Sequence, residues 1–363
     1  RDTETNWMKL ANAVVATFAP DSEIPSAQSG SWTDGSTWVG GVVPSSNDNV
    51  VISASHTVSV DDDFTSVVRG CHAYFESFAF LGEAMPAFRP GFGPDQMAAF
   101  VGAPLVISQG SNQTSWSEKV VTDWESFLPL RIEESNRYFQ RMKEFHAIAE
   151  DHLEGKCLLA EIDMHANVDL LEGLRGAQNL IYDMIAEPET VLKAMTQARE
   201  VYRPVYETFY QYGNKAKWGT TSNLPMYDRG RYNRIQADFI ALLSPDLFRQ
   251  FVLPALEEEA EYLDRSCFHL DGKDALNHLD DILSIDALDA VQWVPGSGAK
   301  PQLEWPEVLH KIQDAGKIII LHVTMDDVKR IHGEYDPALL VYDVGAASVD
   351  EGLTFLDWLV RKT

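Results

Sequence analysis

The sequence has few cysteines, little positive charge and no long apolar run. Cys71, Cys157 and Cys267 are the three cysteines among 363 residues. They are widely spaced and form no CxxC pair, which argues against a disulfide framework and favours a reducing, cytoplasmic setting. No basic start followed by an apolar core indicates a secretory signal. No run reaches the roughly eighteen apolar residues of a transmembrane helix.

Acidic residues outnumber basic ones by a wide margin. The chain has 55 Asp and Glu against 29 Lys and Arg, and its net charge is −26. A field of that sign repels phosphate groups, so nucleic acids and anionic membrane surfaces are not expected as partners. Hydrophobic residues make up 45% of the chain and aromatics 10%, which excludes disorder as a description of the whole chain.

The first seventy residues differ in composition from the rest. The stretch 29–63 is rich in Gly, Ser, Thr, Asn and Val, and phrases such as Gly40-Gly41-Val42-Val43-Pro44 resemble the start of a β-solenoid repeat of bacterial surface proteins. The phrase occurs once, whereas a solenoid needs about three repeats to bury a core. We therefore expect residues 1–70 to form a β-rich appendage and residues 71–363 to form the main domain.

Short apolar strands alternate with helices through the main domain. This alternation predicts a parallel α/β fold, and a closed (β/α)8 barrel fits its length best. An open doubly wound sheet is the rival, but it would normally carry an early Gly-rich phosphate turn. The later predicted strands are 234–239, 267–270, 290–294, 318–322 and 339–342.

His269 and Asp271 form the strongest candidate site. Alternation along a strand places both side chains on one face, and catalytic groups of barrels lie at the carboxyl ends of strands. A His beside a carboxylate can act as an acid/base pair or bind a divalent metal. The structural alternative is that Asp271 caps the next turn and His269 forms a hydrogen bond within the core.

Three more acid/base residues end predicted strands. Asp163 and His165 form a second pair on one face, or else belong to a polar turn before a helix. Asp238 follows an apolar strand, so desolvation should raise its pKa. We expect Asp238 to be a third catalytic group beside His269 and Asp271, with a buried structural hydrogen bond as the alternative.

The remaining candidates concern substrate binding, a role also predicted for Asp163 and His165. Arg175 could hold a substrate carboxylate, although an Arg on a helix is usually a salt-bridge partner. Trp293 could provide a wall for a planar ligand or simply pack the barrel mouth. His322 ends a predicted strand at the same edge.

Several phrases of the main domain are distinctive when taken together. They are Asn179-Leu180-Ile181-Tyr182-Asp183, Ala237-Asp238-Phe239, Leu243-Ser244-Pro245-Asp246-Leu247-Phe248, Phe268-His269-Leu270-Asp271-Gly272 and Gln292-Trp293-Val294-Pro295-Gly296. These phrases resemble the uroporphyrinogen decarboxylase superfamily, which includes corrinoid-linked methyltransferases. The resemblance covers residues of about 72–363 and implies a (β/α)8 barrel.

The activity of this superfamily carries over in part. True decarboxylases of uroporphyrinogen have an Arg-Gln-Ala-Gly-Arg phrase at the first strand, where Leu81-Gly82-Glu83-Ala84-Met85-Pro86 is comparable here. The methyltransferases bind zinc through a His-x-Cys pair and a later Cys. His269 matches their His, but Asp271 replaces the first Cys, and no cysteine follows Cys267.

Three functions remain open from the sequence. The resemblance slightly favours a metal-dependent methyltransferase that uses a small organic substrate and a corrinoid partner protein, with zinc or another divalent metal at His269 and Asp271. The second is a decarboxylase of an unidentified acid, and the third is a non-catalytic barrel that binds a ligand.

Overall fold

The structure is a computed structural model that describes residues 13–17, 23–25, 49–51, 61–76, 78–107, 115–153 and 155–362. Most of the solenoid-like stretch 29–63 therefore lies outside the described residues. Within the described part, no helix combines the length and the apolar character needed to cross a membrane.

The described residues contain fifteen strands. They are β1 Ala13–Thr17, β2 Glu23–Pro25, β3 Asn49–Val51, β4 Phe78–Leu81, β5 Ala87–Phe88, β6 Leu105–Ile107, β7 Ser115–Ser117, β8 Leu158–Leu159, β9 Thr220–Thr221, β10 Tyr227–Asp228, β11 Tyr232–Gln236, β12 Arg265–Asp271, β13 Ala290–Val294, β14 Ile318–His322 and β15 Leu340–Ala346.

Helices occupy most of the chain between these strands. They are α1 Phe64–Glu76, α2 Gln96–Phe100, α3 Trp124–Phe127, α4 Arg137–Leu153, α5 Asn167–Arg175, α6 Ala177–Ala186, α7 Pro188–Tyr210, α8 Lys215–Trp218, α9 Pro245–Leu247, α10 Leu253–Tyr262, α11 Leu279–Leu283, α12 Pro306–Asp314, α13 Met325–Ile331 and α14 Val349–Lys362. Short 3-10 helices follow two of the strands, at Asp238–Leu242 after β11 and at Lys273–His278 after β12.

Five consecutive strands, β11 to β15, form a parallel sheet in chain order. Strand β1 pairs parallel to β15, and β4 pairs antiparallel to β1. The fold is thus α/β, as predicted. The hydrogen-bonded sheet has seven strands in the described residues, so closure into eight parallel strands stays a prediction.

The predicted strands 290–294 and 318–322 coincide with β13 and β14. Strand β11 ends two residues before Asp238, so that Asp238 begins the following 3-10 helix instead of lying within the strand. The proposed boundary near residue 70 also stays a prediction, since α1 crosses it and residues 52–60 are outside the described part.

Apolar side chains form two separate clusters. The larger one packs the helices against the strands. The smaller one takes one residue from the same face of each of the five parallel strands, namely Tyr232, Cys267, Ala290, Ile320 and Val341, together with Leu224 and Met226. One face of β11 to β15 therefore carries a shared apolar layer.

Candidate active site at the carboxyl ends of the strands

Each of the five strands carries an apolar residue of the smaller cluster, and the residue two positions farther along the strand is polar. Side chains two positions apart lie on the same face of a strand, so this face changes from apolar to polar along β11 to β15. We call these five residues the polar layer: Arg234, His269, Gln292, His322 and Asp343. They lie toward the carboxyl ends of the strands, which is where barrel enzymes place their active sites.

Hydrogen bonds join four members of the polar layer in strand order. His269 Nδ1 lies 2.6 Å from Gln292 Oε1, and Gln292 Nε2 lies 2.6 Å from His322 Nε2. His322 Nδ1 lies 2.8 Å from Asp343 Oδ2. Sheet register explains two of these contacts, because His269 is paired with Gln292 and His322 with Asp343 across neighbouring strands.

His269 is held in its neutral form. Burial, and then the positive charge of Arg234, lower its pKa below the ordinary value. Because the amide oxygen of Gln292 can only accept, the proton of neutral His269 lies on Nδ1. Its Nε2 therefore keeps a free electron pair, which suits a base.

A second cluster lies beside the polar layer and is centred on His165. The Nε2 atom of His165 is 3.5 Å from Asp163 Oδ1. Its Nδ1 atom is 3.4 Å from Asp169 Oδ2 and 3.8 Å from Asp238 Oδ2. Burial would lower the pKa of His165, but the charges of Asp163 and Asp238 and the hydrogen bond to Asp169 raise it to about 9. His165 is thus a cation at neutral pH.

Two arginines bind Asp163 from the other side. Arg234 Nη2 donates to Asp163 Oδ1 at 2.5 Å, and Arg89 Nη1 lies 3.2 Å from Oδ2. Burial would raise the pKa of Asp163, but Arg234, His165 and Arg89 together hold it far below its usual range. Asp163 is therefore an ionised anchor that links the two clusters through Arg234.

Backbone contacts position the other two carboxylates. Asp169 accepts the backbone N–H groups of Asp238 at 2.9 Å and Phe239 at 3.0 Å. Asn167, at the start of α5, donates from Nδ2 to Gln236 O at 3.1 Å and to Glu259 Oε1 at 3.0 Å. These bonds hold α5 against the end of β11, so Asp169 and Asp238 meet at His165.

Asp238 has the raised pKa that its apolar strand predicted. Burial and then the negative charge of Asp169 raise this pKa to about 7. The charge of Asp271 also raises it, whereas the positive charge of His165 lowers it. The side chain of Asp238 is nevertheless 44% exposed. A carboxyl group with a pKa near neutrality that solvent can reach is able to give or take a proton.

The raised pKa of His165 predicts a pH-dependent contribution to stability. Its folded-state pKa of about 9 exceeds the ordinary 6.5, so the stabilisation is complete below about pH 6.5 and disappears as the pH rises through 9. Urea unfolding of the protein and of His165→Gln, with a chelator present, should show a difference on the order of 3 kcal/mol at pH 6 that falls toward pH 10. A difference that is the same at both pH values would contradict the prediction.

The structure brings together most, but not all, of the residues that the sequence singled out. Asp163, His165, Asp238, His269, Asp271 and His322 lie at the carboxyl ends of β8, β11, β12 and β14 or just beyond them. Asp271 forms no hydrogen bond with His269 in the described structure; the partner of His269 is Gln292. Asp271 instead lies close enough to contribute to the raised pKa of Asp238.

Two predicted substrate-binding residues lie elsewhere. Arg175 donates to Asp183 at 2.7 Å and to the carbonyl oxygens of Val121 and Thr122. These contacts tie α5 to α6 and to a loop, which is the salt-bridge role considered from the sequence. Trp293 is buried on the outer face of β13, where it packs against Trp305 in the larger core cluster.

Arg89 and Arg234 were not considered as site residues from the sequence, and Gln292 and Asp343 were considered only for their places at the ends of predicted strands. Arg89 directly follows β5, a few residues after the segment 81–86 that was compared with the arginine-rich phrase. Arg234 and Gln292 could have been found from alternation, since each is a polar residue on the inward face of an otherwise apolar strand.

The residues present do not form the zinc set that the resemblance implies. Among the described residues, one group of His, Cys, Asp and Glu has three donor atoms within 4.8 Å of one another, and it consists of His165, Asp169 and Asp238. His269 and Asp271 belong to no such group. Metal binding by these two residues stays a prediction.

Comparison with known proteins supports the fold. Neither the protein-family profiles nor the curated proteins give a match to this sequence. Among solved structures, a methyltransferase from Methanosarcina mazei is similar, with a TM-score of 0.54 and 15% sequence identity, over 84% of this chain and 86% of that one. At this identity the likeness shows a shared fold.

Proposed function

We propose that this chain is a barrel enzyme of the uroporphyrinogen decarboxylase superfamily type that transfers a methyl group to a small organic acceptor. The observation that carries the proposal is His269, a neutral histidine whose Nδ1 is bonded to Gln292 and whose Nε2 has no hydrogen-bond partner among the described residues. The shared fold with a methyltransferase supports it.

A closed (β/α)8 barrel is part of this proposal. In an open doubly wound sheet, helices cover both faces. Here the inward residues of β11 to β15 pack on one another in an apolar cluster distinct from the helix-facing core. Layers of inward side chains from successive strands are typical of the interior of a barrel.

His269 would act on the acceptor. A thiol or another weakly acidic group bound above the polar layer would give its proton to Nε2 of His269 while its heavy atom attacks the methyl carbon. The bond from that carbon to the donor breaks as the new bond forms, and its electron pair stays on the donor. A methylated corrinoid on a partner protein is the donor that the resemblance implies.

Arg89 is proposed to hold an acid group of the substrate. In the described residues its guanidinium makes one ion pair, to Asp163, and no other hydrogen bond. Arg89→Gln should raise KM roughly tenfold to a hundredfold with little change in kcat, since a hydrogen bond to a charged group contributes about 1.5–3 kcal/mol. The matched control is Arg131→Gln, in an exposed pair with Glu133. Equal KM values for both variants would exclude this role.

Decarboxylation of a small organic acid is the second candidate, and Asp238 favours it. A carboxyl group with a pKa of about 7 is half protonated at neutral pH. It could therefore give a proton to the carbon that loses carbon dioxide, while Arg89 holds a second acid group.

One pair of assays separates the two functions. Purified protein is incubated with methylcobalamin and a panel of small thiols, and methylated products are measured by mass spectrometry. In parallel, a panel of small acids is tested for release of carbon dioxide. We expect methyl products that depend on His269. Carbon dioxide release that depends on Asp238, without methyl products, would overturn the proposal, and repetition with a chelator tests metal dependence.

A further inference from the structure

The hydrogen-bond chain from His269 to Asp343 has a definite direction. An ionised carboxylate only accepts, an amide oxygen only accepts, and an amide nitrogen only donates. The carboxylate of Asp343 therefore accepts a hydrogen bond from the Nδ1–H of His322. The Nε2 atom of His322 then accepts from Gln292 Nε2, and Gln292 Oε1 accepts from His269 Nδ1.

Each bond in this chain constrains the next. If His322 carried its proton on Nε2, this N–H would face the side-chain N–H of Gln292, and no hydrogen bond could form between the two donors. If the amide of Gln292 turned over, its N–H would point at His269 Nδ1 and would favour the other tautomer of His269. The carboxylate at the far end thus selects one arrangement for all three side chains.

We infer that Asp343, His322 and Gln292 are positioning residues that hold His269 in the Nδ1–H tautomer with Nε2 free. The inference rests on the proposed role of His269 as a base. It gives His322 a role different from substrate binding. It also gives a role to Asp343, whose carboxylate reaches His269 only through the two side chains between them.

The solvent exposure of the hydrogen-bonded side chains supports this inference. Gln292 is 6% exposed, so its amide has little access to water as an alternative partner. His322 and Asp343, by contrast, have side chains that are 43% and 41% exposed. The hydrogen-bonded series thus runs from the half-exposed carboxylate of Asp343 to His269 through the buried amide of Gln292.

The test reads the tautomer of His269 directly and needs no substrate. Two-bond proton–nitrogen NMR spectra of protein labelled with nitrogen-15 at histidine distinguish the Nδ1–H form from the Nε2–H form. The signal of His269 is assigned from its loss in His269→Gln. We expect the native protein to show the Nδ1–H form alone at neutral pH.

Asp343→Asn is the informative variant, because an amide of nearly the same shape can either accept or donate and no longer selects a direction. We expect a mixture of both tautomers of His269, and a fall in kcat/KM that matches the lost fraction of the Nδ1–H form, about twofold for an even mixture. Asp343→Glu should restore the single tautomer. The control is Asp314→Asn on the exposed surface of α12, which should change neither.

His322→Phe removes a second, exposed member of the hydrogen-bonded series and should give the same mixture of His269 tautomers. This variant therefore tests the inference even if Asp343→Asn fails to fold. A native His269 in the Nε2–H form, or one that stays fully in the Nδ1–H form in these variants, would overturn the inference. Failure of the methyl-transfer assay with the tautomer result intact would overturn the proposed function alone.

Discussion

His269→Ala is expected to lower the rate of methyl transfer by roughly 10²–10⁴-fold, the usual contribution of a general base. The protein should remain folded, with a loss of about 1–3 kcal/mol in the free energy of unfolding, because Gln292 Oε1 loses its donor in a buried place. Activity is measured by the formation of methyl product, and stability by urea unfolding.

Asp271 extends this prediction to a pair. If His269 and Asp271 serve one reaction as a unit, Asp271→Ala should also remove activity, and the double variant should be hardly slower than either single one. His310→Ala, on the exposed side of α12, is the control and should keep full activity. A lower melting temperature with unchanged activity in both single variants would remove the catalytic assignment and leave Asp238 as the next candidate.

The largest effect on stability is expected at Lys215 and Glu161. Their side chains are each 1% exposed, and Lys215 Nζ lies 2.9 Å from Glu161 Oε1. Lys215 also donates to the carbonyl oxygen of Phe209. Lys215→Met should lower the free energy of unfolding by about 3–5 kcal/mol, because it leaves a buried carboxylate without its partner.

The double variant Glu161→Leu with Lys215→Met should recover most of that loss, since a buried ion pair and a well-packed apolar pair are often of similar stability. Lys311→Met removes one partner of the exposed pair with Asp280 and should change stability by less than about 1 kcal/mol. If Lys215→Met lowered the free energy of unfolding no more than Lys311→Met does, the buried pair would not contribute the predicted stability. Urea unfolding of the four proteins decides this.

Much of the fold follows from local sequence patterns. Short apolar runs between helices predict strands, and β13 and β14 begin and end at the predicted residues. The shortest strands are harder to predict: the mainly apolar segment 156–162 contains a strand of only two residues, Leu158–Leu159. An apolar run predicts burial, but hydrogen bonding to a neighbouring strand decides how much of it is a strand.

The candidate site is partly predictable for the same reason. Residues at the carboxyl ends of parallel strands gather at one edge, so the strand pattern alone is enough to choose Asp238, His269 and His322. Trp293 shows the limit of this rule. It also lies near the end of a strand, but its position one residue from Gln292 turns it to the opposite face, into the helix-facing core.

By itself, the sequence determined the alternation of strands and helices, and with it the set of polar side chains at one end of the sheet. Only the tertiary structure decided their partners. His269 is bonded to Gln292 on the next strand and not to Asp271 on its own, while Asp163 is bound by Arg89 and Arg234 from two different parts of the chain. The physical reason is that alternation is a local property of the backbone, whereas hydrogen-bond partners across a sheet depend on strand register and on how distant segments pack.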